Sequence, residues 1–253
     1  MKISVITVTL NNAEYLEDCI KSVLSQDYEN IEYIIVDGGS IDGTLDIIKK
    51  YEDKIDIWIS EPDKGIYDAM NKGIRMATGN VVGVLNADDV FYGTDVLTSI
   101  AAVMSDFGID ACYSDLIYVD RKNLNKVIRY WRSSPFVSGL FKKAWVPPHP
   151  TFYVRRRVYD QYGIFDLKYK LAADFDLMLR LLENYRIKAI YVPKVFVKMR
   201  VGGVTNKSIW NILHQNYEIL RSCKMNNIKI FLPTFLMNKF IVRFNQLHFE
   251  SAI

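Results

Sequence analysis

Along the first sixty residues, short runs in which almost every position is apolar alternate with stretches in which apolar residues recur every third or fourth position. The runs are "KISVITVTL", "IEYIIVDGG" and "IDIWISEP"; between them lie "NAEYLEDCIKSVLSQ" and "DGTLDIIKKYE". Strands that are apolar at consecutive positions are covered on both faces, and the intervening helices supply the cover, so the pattern predicts a parallel, doubly wound α/β sheet. In the first helical stretch Leu16, Ile20, Val23 and Leu24 share one face, with Glu14, Glu17, Asp18 and Lys21 between them. "YDAMNKGIRMATG" predicts another helix, closed by Gly79 as its C-cap, and "VVGVLNADDV" another buried strand. Beyond it the pattern is mixed. A helix is expected over 95–106, strands around "ACYSDLIYV" and "KVIRYWR", and loops at "SSPF" and "VPPHP". "DFDLMLRLLENY" reads as a helix, "IKAIYVPKVFVKMRV" as a pair of strands, and everything after residue 206 as helical and basic.

Composition narrows the class. Half of the 253 residues are apolar, enough to bury a sizeable core in one large domain or one and a half. The cysteines, Cys19, Cys112 and Cys223, are odd in number and far apart, which argues for packing residues in a reducing compartment. "MKISVITVTL" lacks the features of a signal peptide, and no run approaches the roughly 20 apolar residues of a spanning helix, so a cytoplasmic location is expected. The net charge of +3 conceals a strong polarity. Residues 1–120 hold 8 Lys and Arg against 22 Asp and Glu, a net −14; residues 121–253 hold 24 against 7, a net +17, and residues 121–159 contain no acid at all. Nucleic acid, an anionic membrane surface and a phosphorylated substrate would each suit such a half.

In open parallel sheets, ligands bind beyond the carboxyl ends of the strands. Here those ends carry Thr7, Thr9 and Asn11, then Asp37, Gly38 and Gly39, then Asn86, Asp88 and Asp89. The glycines allow close approach of a ligand, and Asp37 is placed to accept hydrogen bonds from a base or ribose. Neither a G-x-G-x-x-G after the first strand nor a G-x-x-x-x-G-K-[ST] occurs, which argues against NAD, FAD and P-loop chemistry. Asp88 and Asp89 side by side need either open water or a shared cation; a surface turn and a metal site are both open at this point.

Four segments, "TVTLNNAEYLEDCIKSVLSQDYENIEYIIVDGGSIDGT", "DKGIYDAMNKGI", "ATGNVVGVLNADD" and "AADFDLMLRL", together resemble the inverting family 2 glycosyltransferases of the GT-A fold. The resemblance spans residues 3–205 and is nearest to bacterial members that build exopolysaccharide, O-antigen or capsule. It implies a GT-A domain over 1–205, with a nucleotide and metal half (1–120) and an acceptor half (121–205), followed by a basic helical extension over 206–253. It implies that Asp37 contacts uracil or ribose, that Asp63 lies near the base and Lys64 near phosphate or ribose, and that Asn86 and Asp88 meet the ribose. Asp88 and Asp89 would bind a divalent metal, manganese or magnesium, on the sugar diphosphate. Asn86 stands where the family often has Asp. Asp174 matches the general base that takes the proton of the acceptor hydroxyl, although Asp at a helix start is also a common cap; Ala173 replaces the usual Glu, and Asp176 is expected to cap the helix or pair structurally.

His149, in "PPHPTFYVRRR", and Arg200, in "RVGGVTN", are candidates for contact with diphosphate or acceptor, and the glycines after Arg200 suit a closing loop. Trp131 and Trp145 lie in the acid-free segment, where an aromatic face beside positive charge suits a sugar pyrophosphate. The tail "NIKIFLPTFLMNKFIVRFNQLHF" fits an interfacial helix on an anionic leaflet, or packing on the body or on a second subunit. The resemblance thus implies transfer from a nucleotide sugar, UDP-sugar foremost, to a saccharide acceptor such as one carried on polyprenyl pyrophosphate. Two rivals stand beside it. A sugar-phosphate nucleotidyltransferase would carry a Gly-rich basic loop after the first strand, and "LNNAEYLED" is neither; a nucleic-acid binder leaves "NADD" and "AADFDL" unexplained, so no nucleic-acid partner is expected.

Overall fold

The computed structural model describes residues 1–202 and 208–247. Its strands are β1 (Ile3–Thr9), β2 (Ile31–Asp37), β3 (Ile57–Ser60), β4 (Val81–Val84), β5 (Asp89–Phe91), β6 (Ala111–Val119), β7 (Val127–Trp131), β8 (Tyr153–Arg155) and β9 (Ala189–Arg200). The helices are α1 (Leu16–Leu24), α2 (Thr44–Lys50), α3 (Ile66–Met76), α4 (Val96–Met104), α5 (Arg156–Tyr162), α6 (Ala173–Leu179), α7 (Ile209–Met225) and α8 (Leu232–Leu247). Among the described residues all the strands join one sheet, in the order β3-β2-β1-β4-β8-β6-β9-β5, with β7 on the distal part of β6. The first four are parallel; β8 enters antiparallel to both β4 and β6, and β5 closes the far edge antiparallel to β9.

The consecutive apolar residues of the early strands feed two cores, one on each face. Ile6 and Val8 of β1 pack with Val82, Val84 and the α3 residues Met70 and Ile74, whereas Ile3 and Val5 pack with Leu16 and Ile20 of α1 and Ile100 of α4. Each such side chain, fully buried, is worth about 1.5–3 kcal/mol, which is why the sheet lies between its helices.

Several local readings need correction. Gly79 is not a left-handed C-cap: α3 ends at Ala77 in extended conformation, and a Cβ on Gly79 would lie 2.5 Å from Ser4 Oγ and 2.8 Å from Ser4 N. The glycine serves the close approach of the α3–β4 link to β1. The expected strand pair over 187–201 is one strand, β9. Ser114 pairs with Val192 but Asp115 pairs with Val195, so Pro193 and Lys194 bulge out where a residue without an N–H cannot serve the ladder. β8 lies where only a loop was legible, because "FYVR" is short and follows three prolines. The helix begun by α6 continues as a π-helical turn over Arg180–Asn184.

Candidate active site

The register of the parallel strands sets their carboxyl ends level. Thr9 pairs with Asp37, which pairs with Ser60, and Ala87 N donates to Val8 O, bringing residues 86–89 beside the end of β1. Along this edge the loops are stitched together by side chains. Asp37 is wholly buried; its Oδ2 accepts from Gly39 N (3.1 Å), Ser40 N (2.9 Å) and Ser60 Oγ (2.6 Å), and its Oδ1 from Ser40 Oγ. Asn11, at φ 49°, accepts from Ile41 N at 2.8 Å and donates its own N–H to Ser40 Oγ at 2.7 Å. Asp37 and Asn11 therefore build the floor of the edge, and the carboxylate of Asp37 is saturated by the protein itself. Thr7 is a core residue, hydrogen-bonded to Tyr33 OH and Cys19 Sγ, and does not reach the edge. Thr9, at the strand end, keeps a buried hydroxyl without a protein partner.

Above this floor Asp63 rests on the backbone of Gly38. A Cβ at Gly38 would sit 2.5 Å from Asp63 Oδ2, so the absent side chain is what admits the carboxylate. Asp63 Oδ1 accepts from Gly65 N at 2.7 Å and the residue is half-exposed; Lys64 beside it is exposed, and its N–H is held by Asp68 at 3.0 Å.

The "NADD" carboxylates are not equivalent. Asp89 opens β5 and is fully buried, whereas Asp88 is half-exposed. Burial, and then the neighbouring Asp88, push the Asp89 carboxyl well above the usual carboxylate range. Its Oδ2 accepts from Asn86 Nδ2 at 3.2 Å, while Asp89 Oδ1 and Asn86 Oδ1 are buried without a donor. Buried acceptors of this kind call for a cation or a ligand donor, and an all-oxygen set suits magnesium or manganese. No group of three acidic, histidine or cysteine ligands gathers among the described residues, so a cation here would draw its remaining oxygens from the ligand and water.

Arg200 serves this loop from behind. It is 4 % exposed and donates through Nη1 to Asp88 O (2.7 Å), through Nη2 to Asp18 (2.6 Å) and through Nε to Arg121 O (3.1 Å), with its guanidinium 4.7 Å from the Tyr15 ring centroid. The expectation of a phosphate or acceptor contact gives way to an inward-turned positioning role. Gly203–Asn206 of the same motif lie outside the described residues.

A second cluster forms where α3 meets α6. Tyr67 OH donates to Asp174 Oδ1 at 2.9 Å; Tyr67 stacks on Phe165 (5.4 Å), and His149 meets Phe165 edge-on (5.4 Å). Asp174 is half-exposed in the first turn of α6, two residues past the N-cap Ala172 and so not in the capping position. Burial, opposed by the Asp174 charge, lowers the His149 pKa and favours its neutral form. Tyr67 was not singled out in the sequence, although it lies inside "DKGIYDAMNKGI"; nothing in the chain order announced that a residue 107 positions earlier would hold Asp174. Asp176 is structural, paired with Arg180 at 2.8 Å and accepting from Ser222 Oγ at 2.7 Å. The segment before Asp174 is fastened by α7, whose buried Glu218 accepts from Lys170 N and Leu171 N, each at 2.7 Å. Beside that fastening lies a cleft of about 550 Å³ lined by Lys170, Leu171, Trp210, His214 and Tyr217. Trp145 packs edge-on against Phe141 and Trp131 stacks on Tyr118, and both are half-buried.

A parallel half-sheet with acidic loops at its carboxyl edge, continued by antiparallel strands and by a helix that carries a second carboxylate, is the GT-A architecture of the nucleotide-sugar transferases. The Glycosyl transferase family 2 model matches residues 4–164, and the chain belongs to that family. A PGL/p-HBAD biosynthesis glycosyltransferase of Mycobacterium bovis is 32 % identical over 207 residues, covering 80 % of this chain and 78 % of the relative. An uncharacterized glycosyltransferase of Haemophilus influenzae is 25 % identical, covering 91 % and 74 %. Among solved structures, S. aureus TarS 1–349 in complex with UDP-GlcNAc superposes with a TM-score of 0.72 at 19 % identity, covering 95 % of this chain and 73 % of TarS. The mannosyltransferase PcManGT of Pyrobaculum calidifontis, in complex with GDP-Man and Mn2+, gives 0.64 at 19 %, covering 95 % and 69 %. The chain is a glycosyltransferase.

Proposed function

We propose that this glycosyltransferase is inverting and metal-dependent, and that it moves a sugar from a UDP-sugar to a saccharide acceptor in the synthesis of a surface glycan. The observation that carries the reading is the pairing of two half-exposed carboxylates in different surroundings: Asp88 beside donorless buried oxygens, and Asp174 held by Tyr67. In this reading Asp88, with Asn86 and Asp89 behind it, holds the divalent cation, and Asp63 and Lys64 meet the nucleotide over the floor of Asp37, Gly38 and Gly39. A divalent cation, when bound, offsets the charge on the leaving nucleoside diphosphate. Asp174 accepts the proton of the acceptor hydroxyl as that oxygen forms its bond to the anomeric carbon from the side opposite the departing nucleotide, which inverts the centre. Tyr67 orients Asp174, and the neutral His149 lines the same space. The cleft of Lys170, Trp210, His214 and Tyr217, next to the segment that delivers Asp174, supports an acceptor site in the basic half, where a pyrophosphate-linked saccharide would be matched in charge. UDP is preferred to GDP on the strength of the TarS complexes with UDP and UDP-GlcNAc; the GDP-Man complex of the Pyrobaculum enzyme makes GDP the first alternative.

Calorimetric titration with UDP, with and without manganese, tests the donor side. Asp88→Ala is the informative variant, because replacing the fully buried Asp89 would also hollow the core. Manganese-dependent UDP binding that Asp88→Ala weakens at least tenfold is the expected result. Equal binding without manganese, or by the variant, would overturn the metal assignment; binding of GDP alone would change the donor.

A further inference from the structure

α8 is apolar on the wrong side as well as the right one. Phe235, 2 % exposed, packs inward, while Leu232, Leu236, Phe240 and Phe244, one turn apart, face outward with Met237 and Ile241 alongside. Phe240 is 72 % exposed, Met237 57 % and Phe244 50 %. An isolated surface apolar residue needs no explanation, but a continuous stripe over four turns does. A helix that is apolar all round belongs in a core or against lipid. At 16 residues α8 is about 24 Å long, and no described helix is long and apolar enough to cross a membrane. Its open face therefore fits a surface rather than a span.

Charge selects the surface. Between residues 219 and 247 the chain holds no acid and, besides Lys239, whose ammonium is turned onto Asn216 of α7, the basic residues Arg221, Lys224, Lys229 and Arg243. α8 rests on β7 and on the turn Leu140–Lys143, within the acid-free segment, where Lys142 and Lys143 are both exposed. A two-fold partner would set this same patch against itself and oppose like charges, whereas an anionic lipid headgroup layer complements it and accepts the apolar stripe beneath. We propose that the outer face of α8 docks the enzyme on an anionic lipid surface, with Phe240 and Phe244 entering the interface. This assignment stands independently of the donor and acceptor reading.

The test is co-sedimentation of the full chain with vesicles of phosphatidylcholine alone and with about 30 % phosphatidylglycerol, at low and high salt. The variants are Phe240→Asp/Phe244→Asp, at half-exposed or more exposed positions, and Lys142→Glu/Lys143→Glu; urea unfolding checks both folds, and UDP titration should be unchanged in both. Binding to anionic but not neutral vesicles, reduced at least tenfold by the first variant and several-fold by the second or by salt, is expected. Absence of binding to anionic vesicles at low salt overturns the proposal, as does wild-type binding by the phenylalanine variant or, should that variant not fold, by the lysine variant. A dimer in sedimentation velocity that Phe240→Asp/Phe244→Asp disperses would overturn it in favour of a second copy.

Discussion

Replacing Asp174 by Asn separates chemistry from structure, because the two costs differ in size. Asn keeps an oxygen that accepts from Tyr67 OH, now 2.9 Å away, and keeps the first turn of α6. What the fold loses is a negative charge near a helix N-terminus, about 0.3–1 kcal/mol, and the excess of a charge-assisted over a neutral hydrogen bond, about 1 kcal/mol. A total near 2 kcal/mol leaves a domain of this size folded. What catalysis loses on the proposed mechanism is the proton acceptor, typically a factor of about 10²–10⁴, or roughly 3–5 kcal/mol in the barrier. UDP release in a transfer assay should therefore fall at least a hundredfold, while the UDP titration is unchanged and the urea midpoint moves only slightly. Turnover above about a tenth of wild type would refute the assignment of Asp174 as base.

Two further outcomes follow from particular contacts. Glu32 is 2 % exposed; burial alone would raise its pKa, but hydrogen bonds from Lys2, Ser4 and Thr78 outweigh that and bring it from 4.5 down to about 2. A depressed carboxylate stabilises the fold in full above its unfolded value and loses that contribution as pH falls from about 4.5 towards 2, here at most about 3 kcal/mol; Glu32→Gln should lower stability at pH 7 by a comparable amount and flatten the decline in that acid window, and urea unfolding at several pH values reads both. Gly38→Ala places a Cβ 2.5 Å from Asp63 Oδ2, so Asp63 must move; UDP affinity should fall several-fold with little change in melting temperature, and unchanged affinity would remove Asp63 from the nucleotide site.

Much of this was legible in the chain because its first ninety residues repeat one physical statement. Consecutive apolar positions ending in polar ones specify buried parallel strands with a ligand edge, and the ends of β1, β2 and β4 do lie together. What escaped were relations between distant segments. Asp37 and Arg200 read as ligand contacts because their residue types suit phosphate and ribose, yet Asp37 accepts from the turn that follows it, at Gly39 and Ser40, and from Ser60, while Arg200 is engaged by Asp18 and Asp88, which only folding brings near. The difference between Asp88 and Asp89 was likewise invisible, since identical side chains acquire different exposure only when β5 pairs with β9. Tyr67 was hidden for the same reason: its partner lies 107 residues further along the chain.

The Glu218 fastening has a consequence for how this enzyme can be altered. The backbone that delivers Asp174 is gripped from the following helix, through Lys170 and Leu171, and the turn behind it is gripped again through Asp176 and Ser222. A chain shortened after β9 would retain every motif that resembles the family and still lose the clamp on Asp174. The loop before Asp174 and the helix α7 that grips it are thus one mechanical unit, and a loop exchanged without α7 would lose the two hydrogen bonds that hold it.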